Sequence, residues 1–195
     1  MTRAIAALCV TLLSSGVAMA QDRSPTEGAI EALSKVCQPA LENEIAPRIS
    51  AEKVGMTRDA TPPSSVAMQF PVTALGSASY SAPVAGGRVH VVSTVMPPPA
   101  SPYSCVVALD LDAPDLIEKV RAGWTGPGSR YQIQPGRPDL QDKVDQIVLN
   151  AVDPKTGAVD KIIALRLREP LENKMRSMIL TYRVDASSMR AAGAK

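Results

Sequence analysis

Residues 103–115 read YSCVVALDLDAPD: one cysteine in an apolar run, then three aspartates within six positions. Two chemistries compete for this stretch. A thiol and three carboxylates could gather a cation, or a strand could run into a capped helix. Strand alternation puts Cys105, Val107 and Leu109 on one face and Val106 and Asp110 on the other, which separates the thiol from the carboxylates. A calcium loop of the EF-hand type needs a glycine in mid-loop and a closing glutamate, and neither fits here. Simpler roles account for each residue. Asp112 serves as helix cap, Pro114 suits the first turn, Asp115 has capping-box spacing and favours the positive helix end, and Asp110 closes the strand. The stretch therefore predicts a strand entering a helix, with no metal.

The neighbouring residues extend that pattern. Upstream, GRVHVVSTVM (87–96) alternates Val89, Val91, Ser93 and Val95 against Arg88, His90, Val92 and Thr94, a second strand that pairs with the first as a hairpin. SASYSAP (77–83) is a weaker strand. Downstream, APDLIEKVRAGW carries Leu116, Ile117, Val120 and Trp124 as one helical stripe, and Gly123 with TGPGS ends it. YQI is a short strand candidate. DQIVLNAV and KIIALRLRE flank the turn DPKTG and predict another hairpin, and SMILTYRV (177–184) closes the set.

The N-terminal part is helical. Ser24 as cap, Pro25 at the first position and Glu27 at capping-box spacing start a helix through Ile30, Leu33 and Cys37. Pro39 ends or kinks it. SAEKVG predicts a short helix capped by Ser50 and stopped by Gly55. TRDATPPSS reads as a connection. Short turns between neighbouring strands favour antiparallel pairing. The sum is an α+β fold with one mainly antiparallel sheet of about five to six strands. The N-terminal helix lies on that sheet, and a second helix is inserted between strands.

Residues 1–20 have the form of a secretory signal peptide: Arg3, an apolar run to Leu13, and Ala18-Met19-Ala20 before Gln21. The run is shorter than the roughly 20 residues of a membrane span. Cys9 is not at the cleavage point, so no lipid anchor is expected. The expected mature chain is one α+β domain from 21 to 195 with a frayed tail from about 186, located in a Gram-negative periplasm or secreted. Cleavage leaves Cys37 and Cys105, which predict one disulfide in an oxidising compartment, stapling the first helix to the sheet.

Composition excludes several functions. The whole chain carries a net +2, and losing Arg3 leaves about +1, too little for nucleic-acid binding. The one histidine and two mature cysteines cannot build a structural zinc site. AGG (85–87) and GPG (126–128) continue as neither phosphate loop nor dinucleotide fingerprint, so no cofactor is expected. No Gly-x-Ser-x-Gly elbow accompanies His90. With one Trp, one Phe and four Tyr there is little to stack on a sugar.

The feature most suggestive of binding is basic. Arg166 and Arg168 alternate with Ile163, Leu165 and Leu167, and Arg183 alternates with Leu180 and Tyr182. If these strands are neighbours, Arg166, Arg168 and Arg183 share one face, with Lys174 and Arg176 at the connection. Such a face suits an acidic protein or envelope component, unless Glu169, Glu172 and Asp185 balance it. The sequence therefore predicts a non-catalytic binding module. Two alternatives stand beside it: a small hydrolase using carboxylates or His90, and an inhibitor of an envelope enzyme that presents the stiff MPPPASPYS loop.

Overall fold

The computed structural model describes residues 23–60, 76–95, 103–170 and 175–185. The expected signal peptide, the proline loop at 96–102, Lys174, Glu172 and the tail from 186 lie outside these residues. The fold is α+β, with one antiparallel sheet and a helix linked to it by a disulfide.

The chain enters at Ser24, whose Oγ accepts from the Glu27 amide while Glu27 accepts from the Ser24 amide, a complete capping box with Pro25 at its first position. Helix α1 (Pro25–Ala32) passes into a π-helical turn (Leu33–Cys37) and then α2 (Gln38–Asn43). Pro39 does not stop the helix. It has no amide to donate, and the wider turn just before it lets the Gln38 amide reach Leu33 O, so the helical path survives to Asn43. Helix α3 (Pro47–Lys53) follows. Ser50 sits inside it rather than at its cap, because Pro47 already supplies a first helical position. Gly55, at φ +78°, turns the chain out as expected.

Eight strands follow among the described residues: β1 (Thr57–Arg58), β2 (Gly76–Val84), β3 (Gly87–Val95), β4 (Tyr103–Leu109), β5 (Gln132–Gln134), β6 (Val144–Val152), β7 (Val159–Leu167) and β8 (Ser177–Val184). Their order is β1-β2-β3-β4-β8-β7-β6-β5, with every neighbouring pair antiparallel. The sheet is thus wider than the expected five to six strands. The difference includes β1, a two-residue edge strand in a segment whose composition reads as a loop. Helix α4 (Leu116–Trp124) is the insertion between β4 and β5.

Among the described residues the α-helices pack on one face of the sheet. Ala29, Leu33, Val36 and Cys37 meet Val91, Cys105, Val107 and Ile179, and Leu116, Val120 and Trp124 of α4 close over Ile147, Leu149 and Ile162. Cys37 and Cys105 are joined, with Cα atoms 5.5 Å apart. In the chain-entropy account a closure of 68 residues stabilises the fold by about 4 kcal/mol. On the opposite face a smaller cluster forms from Val92, Val106, Ala108, Met175 and Met178, with Leu165, Leu167 and Leu180 packed against it.

Candidate functional site

The opening stretch becomes a strand and a helix, but its carboxylates are used differently from the expected capping. Helix α4 begins at Leu116, and neither Asp112 nor Asp115 makes a side-chain cap. Asp112 turns to the sheet and accepts from Arg166 Nε and Nη2 at 2.9 and 3.1 Å. Asp115 accepts from Thr26 Oγ1 at 2.5 Å, which ties α4 to α1. For Asp112 a charged partner across the fold outcompetes a local cap, because a bidentate guanidinium–carboxylate pair is the stronger bond. Among the described residues no group of three or more His, Cys, Asp or Glu is placed to hold a metal.

Arg166 and Arg183 lie on the face of the sheet that carries the helices, and Arg168 stands one residue past the end of β7, at the sheet margin. Arg166 and Arg183 stand at opposite ends of that face: Arg166 pairs with Ser177, whereas Arg183 pairs with Asp160. Six residues of strand separate the two positions, about 20 Å. Each arginine is engaged by a carboxylate of this chain. Arg166 binds Asp112 and Asp145, and Arg168 binds Asp145 at 3.1 Å. Arg183 holds Asp160 through Nε at 2.6 Å and Nη2 at 3.1 Å. The Arg166 guanidinium, first by hydrogen bonding, keeps the Asp112 carboxyl below the usual range.

A network around Asp160 was not legible in the sequence. Arg130 donates to Asp160 at 2.6 Å and to Glu42 at 2.9 Å, and Tyr131 also donates to Glu42. Gln38 bridges Glu42 to the Trp124 indole. Burial, reinforced by the Glu42 charge, pushes the Tyr131 hydroxyl upward, so it remains a donor.

His90 is not isolated. Its Nδ1 lies 3.4 Å from Asp59 Oδ2, and Asp59 also accepts from Ser81 Oγ at 2.5 Å and Ser79 Oγ at 2.7 Å. Burial would raise the Asp59 pKa, but these bonds outweigh it and hold the carboxyl low. Arg88 donates to Ser81 on the same strand pair.

The most ligand-like space lies on the face opposite the α-helices. A cleft of about 750 Å³ opens at the margin of the smaller cluster, lined mainly by Leu140, Val144, Leu165, Leu167, Met175 and Met178. Charged residues Asp142, Lys143, Arg168 and Glu169 also line it. Arg168 is thus the predicted binding residue that reaches a cavity. The available sequence signal was the apolar run Ile163, Leu165 and Leu167, opposite the arginines on β7.

Known families, curated proteins and solved structures offer no match to this chain. Its geometry alone has to carry the functional reading.

Proposed function

We propose that this chain is a non-catalytic binding module of the bacterial envelope, which holds a protein or envelope component by an apolar group seated in the cleft beside Arg168. The cleft is the observation that carries this reading. Its size falls within the roughly 300–1,000 Å³ of ligand sites, and its lining is mostly apolar with charge at hand to orient a ligand. The disulfide is compatible with an extracellular or periplasmic setting, and no helix among the described residues is long and apolar enough to cross a membrane. The test is crosslinking capture from a periplasmic extract, with identification of what is bound, using the native chain and Leu165→Glu. Leu165 is only partly buried, so a charge there blocks the cleft without entering the main core. A partner lost with Leu165→Glu supports the reading. Capture indifferent to that change removes the cleft from it.

The Asp59–His90 pair favours a second reading, a hydrolase. Asp59 at Nδ1 leaves Nε2 as the nitrogen that would accept a proton, the arrangement of an oriented general base. Turnover of activated ester or phosphoester substrates that disappears in His90→Ala would support it. Equal background rates in both proteins would end it.

A further inference from the structure

We infer that the cleft takes a single hydrocarbon chain ending in an anionic head group, the chemistry shared by a fatty acid and a lysophospholipid; this rests on the binding reading above. The floor decides the nature of the buried part. Val144, Leu165, Leu167 and Met178 come from three adjacent strands, and their residues are paired in register across β6, β7 and β8. The β7–β8 ladder engages the backbone donors and acceptors of Leu165, Leu167 and Met178. A peptide laid on that floor would bring amides that find few partners, each costing about 1–3 kcal/mol when buried unpaired. A hydrocarbon chain brings none. Met175 and Met178 add unbranched, adaptable walls that tolerate chains of differing length.

The rim decides the other end. Arg168 N donates to Lys143 O at 3.0 Å, which sets these two cationic residues side by side on neighbouring chain segments. Asp142 and Glu169 flank them, exposed to water. Arg168 already binds one carboxylate, Asp145, through Nη2. A carboxylate or phosphate at the mouth would add to a group suited to planar oxyanions.

The experiment is calorimetric titration of the full chain with oleate, lysophosphatidylglycerol, monoolein and a long-chain alkyl trimethylammonium, each below its micellar concentration. Saturable one-to-one binding of oleate or lysophosphatidylglycerol is expected, and the stronger of the two identifies the source of the head group. The double variant Lys143→Gln/Arg168→Gln should weaken anionic ligands by about tenfold or more while leaving monoolein unchanged, a difference near 1.4 kcal/mol. Unchanged thermal melting shows that the variant still folds; should it not, Leu165→Trp, which fills the cleft, serves instead and should abolish binding. Equal binding of the cationic or neutral amphiphile overturns the anionic head, and no binding of any amphiphile overturns the inference. If both anionic amphiphiles fail while a captured partner still depends on Leu165, the inference falls and the binding reading stands.

Discussion

Asp160 of β7 lies directly opposite Arg183 of β8, and its carboxylate takes two bonds from that guanidinium while 1% of its side chain is exposed. Arg130 reaches the same carboxylate from the loop after α4. One buried acid therefore joins the sheet to the chain that follows the inserted helix. Its removal leaves the largely buried Arg183 guanidinium without its carboxylate, while Arg130 keeps Glu42. Asp160→Ala should cost about 3–5 kcal/mol, the range for breaking a buried pair on one side. Urea denaturation followed by tryptophan fluorescence measures it, since Trp124 belongs to the adjoining network. A loss below about 1 kcal/mol would mean the pair behaves as a surface bridge.

The disulfide is a second long-range restraint. Cys37→Ala/Cys105→Ala should lower stability by about 4 kcal/mol. Both cysteines are fully buried, so a reductant should act only slowly on the folded protein. The urea midpoint of the double variant, with thiol titration of the native chain under reductant, checks both statements.

Gly28 marks where α1 touches β2. A Cβ there would stand 2.5 Å from Val84 Cγ1. Gly28→Ala should therefore destabilise by about 1–3 kcal/mol through overpacking, despite alanine's better helix propensity. Val84→Ala in the same chain should recover part of that loss. A double-mutant cycle with no coupling between the two sites would contradict the contact.

Asp59 and Asp112 are both held below the ordinary carboxylate pKa. Folded-state values below the unfolded value of about 3.9 mean that the folded protein binds fewer protons. Their contribution is fully present above that value and is lost as pH falls through the lowered folded values. Stability should drop as pH falls below about 4. The gap between the native chain and Asp59→Asn should close over the same interval. Denaturant midpoints collected from pH 2 to 6 test this; a constant gap would mean that the bonds of Asp59 to Ser79, Ser81 and His90 do not favour its ionised form.

Local chemistry explains why much of the fold was legible. The capping box at Ser24 and Glu27, the glycine stop at Gly55, the DPKTG hairpin and the alternation through β3, β4 and β8 are signals carried by residues close in sequence. The segment 57–58 escaped because two residues are too few to show a period; β1 exists only because β2 offers it an edge. Pro39, read as an end or a kink, is followed by helix to Asn43 after a π-helical turn. The missing amide is a local fact, but a π-helical turn can absorb it where the helix is pressed against a sheet.

The candidate site was less legible. β7 alternates Ile163, Leu165 and Leu167 with Arg166 and Arg168, which suggests one apolar and one charged face. In the folded chain both faces of that strand are apolar at its centre, since Ile162 and Ala164 lie under α4. The arginines fall at or beyond the margin of the helix layer, where Asp112, Asp145 and Asp160 reach them.

The α+β class, the antiparallel hairpins, the pairing of Cys37 with Cys105 and the positions of most strands follow from local signals, because periodicity, turn chemistry and cysteine number act over short or unambiguous distances. That β8 enters between β4 and β7, that the α-helices share one face, and which carboxylate meets which arginine emerge with the packed fold. Those outcomes depend on burying two apolar faces of one sheet at once and on charge pairs far apart in the chain, and no single segment encodes either.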